Sequence, residues 1–520
     1  MGVSRRDFIK AGAAGAALLV AGPSRVLGQT QTFPAGRTSR LFPGNGRVVV
    51  HSDLHNHSLL SDGATAAEEV FGRMRAVDLD VAALTDHALF GKAAGKPCSN
   101  AQCNYYMGID EESWQRIAEL ADASNADGAF VAMRGFEWTT GTIGHVNVWF
   151  TEEWVDSFTT MGIQSPRGLT PLLGVIPEPG PSLAPALGPL FDQLPETATM
   201  DLFYDWLQTN PGGGPFGGGS DGLAGFNHPN EFGNFESFKF VPEVVERIVS
   251  CEALNMDRDF LFWGHDDGMP SPLNACLNAG WKVGMLGVSD EHFDKWGDNR
   301  ARGGLWLKSL TRDGVREAME SRRMFATFER GLRLDAAANG VQMGRAVGHR
   351  AGPVRFDLDL DHGPNGYGRD LRVQLLRPGN DDPVLAHEQD VRLGGPTEPV
   401  ISFTVPIDVA DGDWALLRVT DPGQAADEGT PEAFRGAGRG IAYASPFWFD
   451  PDAPAGAAPV DGAAAEVAGV QESRREALPA TGGSTAVAAA GALAAAAALA
   501  ARRLMQHDHD HPHDHDHAHE

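Results

Sequence analysis

The segment HSDLHNHSLLSDG, residues 51–63, holds three histidines, two aspartates and three serines in thirteen positions. It follows the apolar run VVV. His55 and His57 stand at i and i+2, on one side of an extended chain, where two imidazoles can grip one divalent ion. The same residue types recur along the chain, most of them close to short apolar runs. Asp62 lies in SDG, His87 ends VAALTDH, Glu137 lies in GFEW and His145 in GHVNVWF. His228 lies in GFNHPN, and Asp290 with His292 in GVSDEH. A lone histidine is ordinarily a satisfied surface or core side chain, which is the reading for His349, His362 and His387. Nine carboxylates and imidazoles, most of them near strand ends, instead make a constellation of metal character. Mixed nitrogen and oxygen ligation favours Zn or Mn and is compatible with Fe.

Something must hold these groups together. Strands are expected at 47–50, 80–84, 130–135, 145–150, 222–226, 244–251 and 281–288, with helices at 64–77, 109–123 and 311–321. That alternation implies an α/β fold, and a barrel-type member places its chemistry after the strands. A Pro/Gly-rich insertion near 165–219 reads as a loop over the site mouth, with a short helix near 199–207. Beyond residue 328 the texture changes. VRFDLDLDHG, LRVQLLRPG, ISFTVPIDV and WALLRVTD largely alternate in period two, which predicts a small antiparallel β-sandwich over 329–449. Residues 450–477 read as a flexible stalk.

Several neighbours have supporting or undecided roles. Asp53 and Asp86 are placed to accept hydrogen bonds and orient the ligands. Asn230 reads as a supporting or substrate contact or as a plain turn residue. Glu252 and Asn255, just past an expected strand, either line the mouth or support it. Arg302 is a candidate anion clamp, because a guanidinium fork suits a phosphate, with an ordinary salt bridge as the other reading. His265-Asp266-Asp267 looks metal-like in isolation but lies outside the order of the other motifs.

DLHNHSLLSDG, LTDHA, GFEW, GFNHP and GVSDEH, in that order, resemble the successive motifs of the PHP (polymerase and histidinol phosphatase) superfamily. GFEWTT with GHVNVWF, and the later SRRMFAT, resemble the branch that contains carbaryl hydrolase. The resemblance runs from about residue 51 to 328 and implies a distorted (β/α)7 barrel over 47–328, with a β-rich region after it. It implies up to three metal sites: His55, His57, Glu137 and Asp290; then Glu137, His145 and His228; then Asp62, His87 and His292. Glu137 would bridge the first two. The catalytic set is then His55, His57, Glu137, His228 and Asp290, with Arg302 beside them. Two to three divalent ions and a metal-bridged hydroxide would attack phosphorus or a carbonyl carbon without a separate protein base. The leading expectation is a phosphoesterase acting on a small-molecule ester. Trp138, Trp149, Phe150 and Trp263 near the motifs favour the alternative, a carboxyl or carbamate ester hydrolase. A third class is a non-catalytic metal-binding surface protein.

The formal net charge of -27, from 69 acidic and 42 basic residues, argues against a nucleic-acid partner. Metal ions would still reverse the local field for a small anionic substrate. Residues 1–29 carry Ser4-Arg5-Arg6-Asp7-Phe8-Ile9-Lys10 before AGAAGAALLVAG, which resembles a twin-arginine signal and implies the twin-arginine translocase as partner. Leu478-Pro479-Ala480-Thr481-Gly482, an apolar run and Arg502-Arg503 resemble a sortase sorting signal over 478–503. That implies sortase and peptidoglycan as partners, and a cell surface location with membrane or cell-wall anchoring. Residues 504–520, rich in His and Asp, can buffer metal loosely. Cys98, Cys103, Cys251 and Cys276 allow one or two disulfides in an exported chain, with Cys251 alternatively a small buried side chain.

Overall fold

The run VVV opens β1 (Val48–Asp53), buried along nearly all its length. The computed structural model describes residues 36–88, 108–140, 143–157, 200–214, 217–265, 268–296, 301–395 and 400–454. The expected export signal, sorting segment, His-rich tail, Cys98, Cys103 and most of the Pro/Gly-rich insertion lie outside the described residues. From β1 the chain builds a large mixed sheet. β1 runs parallel to β2 (Val81–Leu84), which runs parallel to β4 (Val131–Thr140); β3 (His87–Ala88) pairs in parallel with the far end of β4. β5 (Gly144–Trp149) is antiparallel to β4, and β6 (Leu223–Asn227) is antiparallel to β5. β7 (Ile248–Asn255) runs parallel to β6, turns back through β8 (Arg258–Asp259), and is parallel to β9 (Gly284–Val288). On the other side of β1 lie β10 (Arg302–Leu307) and β11 (Met324–Thr327), in antiparallel ladders.

Among the described residues the longer helices that accompany these strands are α1 (Ala67–Ala76), α2 (Glu111–Ser124), α3 (Met200–Gln208), α4 (Pro272–Asn278) and α5 (Arg312–Glu320). Asp110, Ser271 and Thr311 cap α2, α4 and α5, each accepting a backbone N–H of the first turn.

The expected seven-stranded βα barrel is thus seen as a mixed sheet. The three residues between β4 and β5 are too few for a crossover helix, which needs about a dozen, so those strands form a hairpin. Among the described residues no ladder joins β9 to β1. An isolated parallel bridge, Asn56 to Glu291, links the two strand ends instead, with Ser289 N–H donating to Asp53 Oδ1 at 3.1 Å.

Beyond residue 328 a separate four-stranded antiparallel sheet forms from β12 (Arg333–Ala338), β13 (Val341–Gln342), β15 (Ala351–Asp361) and β18 (Ile401–Asp408). Between them in the chain, β14 (Ala346–Gly348) pairs with β21 (Phe447–Asp450). The opposing layer, β16 (Asp370–Arg377), β17 (Val384–Arg392), β19 (Trp414–Asp421) and β20 (Arg439–Ala444), belongs to the large sheet because β20 pairs with β11. One apolar core joins Phe356 and Val405 to Val373 and Leu417, and it also takes in Val49, Trp306 and Phe325 from the first part of the chain. The two parts share a sheet and a core.

Candidate metal centre

The chain leaves β1 at Asp53 and must turn His55 and His57 inward together. Asn56, between them, donates from Nδ2 to the Ala83 carbonyl at 3.0 Å, and its N–H goes to Thr85 Oγ1 at 3.0 Å. With Asn56 held against β2, the two flanking imidazoles face the other way. The serines have a job as well. Asp86 accepts from Ser58 N–H (2.8 Å) and Oγ (2.8 Å) and from Ser61 N–H (3.0 Å) and Oγ (2.6 Å), folding the loop that carries Asp62. Asp86 therefore organises the loop and not the His87 ring. Asp53 likewise works through the backbone and hydroxyl of Ser289, tying β1 to the segment that bears Asp290.

Glu137 lies inside β4, two positions beyond the expected strand end, because the β4–β5 hairpin extends the strand to Thr140. Its carboxylate faces five imidazoles. The contacts are 3.2 Å to His55 Nε2, 3.6 Å to His57 Nε2, 2.6 Å to His87 Nδ1, 3.1 Å to His145 Nδ1 and 3.3 Å to His228 Nε2. Asn227 Nδ2 donates to the same carboxylate at 2.7 Å. Asp290 Oδ1 lies 3.0 Å from His57 Nε2 and 3.2 Å from His55 Nε2. Asp62 Oδ2 lies 3.2 Å from both His87 Nε2 and His292 Nε2. All nine residues singled out in the sequence therefore meet.

Their grouping differs in part from the expectation. Four overlapping sets have ligand atoms within 4.8 Å of one another: His57, Asp62, His87 and His292; His55, His57 and Glu137; His55, His228 and Asp290; and His87, Glu137 and His145. His57 reaches toward Asp62 as well as Glu137, and His87 toward Glu137 as well as Asp62. The central position of Glu137 makes the sets share members. His87 and His292 keep some exposure while His55 and His57 are buried, so solvent reaches the cluster from the Asp62 side.

The electrostatics follow from burial and crowding. Burial opposes ionisation of Glu137, yet His55, His87 and His145 outweigh it and hold the carboxyl well below its usual range. Burial also opposes ionisation of Asp290 and Asp62, and again the surrounding imidazoles win. Burial depresses His145 to about 4 despite Glu137. His228 goes the other way: burial is overcome by its Glu137 hydrogen bond and by Glu231 and Asp290, and the ring is raised to about 9. His292, against burial, is raised to about 10 by Asp62 and Asp290. Left-handed backbone at Asp290 (φ 47°) and His228 (φ 21°) marks both as positions held by their surroundings.

Arg302 does not join this cluster. Its side chain is buried, with Nε and Nη1 lacking hydrogen-bond partners. Desolvation lowers its pKa to about 10, and Asp53 is the carboxylate that counters this most. In register Gly303 pairs with Ser52, so Arg302 stands level with Asp53, at the end of β1 that leads to His55. Asn230 takes the turn role, with φ 73° and Nδ2 bonded to the Pro270 carbonyl at 3.2 Å. Trp138 and Trp149 are core residues, Trp149 donating to the Leu54 carbonyl at 2.9 Å. His265 pairs with Asp382 at 2.9 Å, away from the cluster. His349 and His362 bond the carbonyls of Ile407 and Arg330, as satisfied histidines should. Cys251 and Cys276 are free and buried.

Glu252 gains a role that the sequence reading left open. β7 continues through it to Asn255, and Glu252 Oε1 lies 2.8 Å from His55 Nδ1. Its other oxygen accepts from His228 N–H at 2.7 Å and from Asn255 Nδ2 at 2.8 Å. The signal was the period-two placement of Ser250 and Glu252 in the run IVSCEALN.

No family model and no curated protein matches the chain. Among solved structures, it is similar to a two-domain protein from Bacteroides vulgatus that contains a predicted PHP-like metal-dependent phosphoesterase. That match has 15% identity and a TM-score of 0.35, covering 79% of this chain and 99% of that one. It is also similar to an amidohydrolase from Chromobacterium violaceum, at 15% identity and a TM-score of 0.22, covering 46% of this chain and 87% of that one. Neither likeness assigns a chemistry to this chain.

Proposed function

We propose that this chain is an exported, PHP-type, metal-dependent hydrolase of small-molecule phosphoesters. The observation that carries the reading is the meeting of six imidazoles and three carboxylates in four overlapping sets whose ligand atoms lie within 4.8 Å of one another. Glu137 Oε2 and Asp290 Oδ1, both set against ring nitrogens of the cluster, are buried and lack a hydrogen-bond partner among the described residues. Asp290 Oδ1 stands 3.0 Å from a ring nitrogen without hydrogen-bond geometry. Donor atoms converging in this way fit a cation better than a set of N–H···O contacts.

The residues present fit two or three divalent ions of the Zn, Mn or Fe kind, held by His55, His57, Asp62, His87, Glu137, His145, His228, Asp290 and His292. Such ions, when bound, supply Lewis acidity and make water acidic enough to react near neutral pH. The chain supplies the rest. Glu137 places a full negative charge at the centre of five rings, which favours cations over protons only while those rings are neutral. Glu252 fixes the direction of the His55 ring, and Asp86 fixes the loop of Asp62. The less buried His87 and His292 give a substrate its approach.

A second reading, hydrolysis of a carboxyl or carbamate ester, draws on an apolar rim. Phe293 is 68% exposed beside His292, and Phe232 stacks on His145 with ring centroids 4.6 Å apart. The deciding experiment is a screen of a phosphodiester, a phosphomonoester and a neutral aryl ester, with Mn and with Zn added. Turnover of the phosphoesters above the aryl ester supports the first reading; the reverse order replaces it with the second. Export rests on the Arg5-Arg6 pattern. No helix of the described residues is long and apolar enough to cross a membrane, so anchoring would fall to residues 478–503.

A further inference from the structure

Metal ions bound in the cluster would draw a phosphate in, and a guanidinium beside them would fix its orientation. The β7–β8 turn brings another arginine to the His228 and Asp290 side of the cluster. Arg258 pairs in register with Asn255, whose Nδ2 donates to Asp290 Oδ2 at 3.3 Å. Its Nη1 is bonded to Glu231 Oε1, and Glu231 Oε2 lies 3.8 Å from His228 Nδ1. Asp290 is among the carboxylates that act on its charge. Thus Arg258 stands one carboxylate away from His228 and one amide away from Asp290.

The guanidinium is also oriented. Its carbon lies 4.6 Å from the centre of the Trp263 ring, which holds it by a cation–π contact, while Glu231 occupies Nη1. Among the described residues no hydrogen bond engages Nε or Nη2. The side chain is 24% exposed. The Nε–Nη2 edge is the one that meets two oxygens of a phosphate side by side.

We infer that Arg258, set by Trp263 and Glu231, is the oxyanion-binding residue of this site and selects substrates that carry a phosphate dianion. This rests on the phosphoester reading and narrows it to monoesters. A diester offers only one charge to the same fork, and a neutral ester offers none.

The test uses the metal-loaded full chain and inorganic phosphate as the probe, with binding followed by calorimetry and as competitive inhibition of whichever ester is turned over. Arg258→Gln is expected to weaken phosphate binding by about tenfold to a hundredfold, as loss of charge-assisted hydrogen bonds does. Arg258→Lys is expected to recover part of it, since charge returns without the fork. The KM for a phosphomonoester should rise in both while kcat moves little. Melting temperature and metal content of each variant are measured alongside. If Arg258→Gln loses metal, the lysine variant decides. Unchanged phosphate binding in the variants, or none in the wild-type chain, overturns the assignment. Arg258-dependent phosphate binding without phosphoester turnover would keep the assignment and reject the phosphoesterase reading.

Discussion

Glu252 Oε1 lies 2.8 Å from His55 Nδ1, and this one contact turns the opposite ring nitrogen, Nε2, toward Glu137 and Asp290 at 3.2 Å each. A carboxylate behind a ligating imidazole fixes its tautomer and raises its basicity. Glu252→Ala should therefore lower metal affinity by about tenfold to a hundredfold. Glu252→Gln should do less damage, because an amide oxygen can still accept from Nδ1–H. Chelator competition on both variants reads the difference. Equal affinities in wild type and Glu252→Ala would show that the contact is incidental.

Glu137 should matter more than any single histidine, since its carboxylate faces five of them. Glu137→Gln keeps the size and removes the charge that balances neighbouring cations. It should abolish hydrolysis and reduce metal content, with the fold retained when metal is added. His87→Ala removes a ring from the more exposed side and should be milder. Turnover and metal content are compared on the same preparations. Near-normal turnover in Glu137→Gln with full metal would end the central role given to it.

The nine cluster residues were legible because each sits in a short polar interruption of an apolar segment, and chemistry of that type has few other reasons to recur. Their partition was not. Glu137 was read as following its strand, whereas the β4–β5 hairpin carries it inside the sheet and centres it among rings from four other segments. Glu252 was a candidate whose role stayed open for the same reason, since its strand runs four residues further than the apolar run suggests. Arg258 was not legible, because only the tight turn after β7 brings it back beside Asn255. The sandwich was visible as period-two strands, yet its continuity with the large sheet depends on β20 meeting β11, a pairing more than a hundred residues apart in the chain.

Metal content should not depend on the His-rich tail. The nine residues lie between His55 and His292, far in the chain from residues 504–520. A chain ending at Arg503 should still retain two to three equivalents of divalent metal by elemental analysis. Loss of all tightly held metal on truncation would move the metal centre to the tail.

Location is tested at the other end. Replacing Arg5 and Arg6 with lysines should leave folded precursor inside the cell, because the paired arginine is the feature that resembles a twin-arginine signal. Fractionation reads it. Undiminished export of the double variant would contradict that route and leave the enzymatic reading untouched.

Metal loading should be coupled to protons, with a sign that the cluster dictates. In the metal-free protein His228, raised to about 9, and His292, raised to about 10, carry protons at neutral pH. Burial opposes this in both rings, and the facing carboxylates overcome it. An imidazole must be neutral to ligate, so a cation entering at pH 7 displaces these protons. Affinity should then climb as pH rises toward 9 or 10 and fall steadily as pH drops through neutrality, since His55 and His87 are also held above their ordinary value. His145, depressed to about 4, is already neutral and adds nothing to the change. The same linkage acts on the metal-free fold in the opposite sense. Rings whose folded pKa is raised stabilise it fully below about 6.5, the unfolded value, and that stabilisation is lost as pH climbs through 9 and 10. Calorimetric titration with Zn or Mn in buffers of different ionisation enthalpy counts the protons released, and melting curves of the metal-free chain track the second effect. Loading at pH 7 without proton release would mean that none of the rings raised above neutrality, His55, His87, His228 and His292, is a ligand.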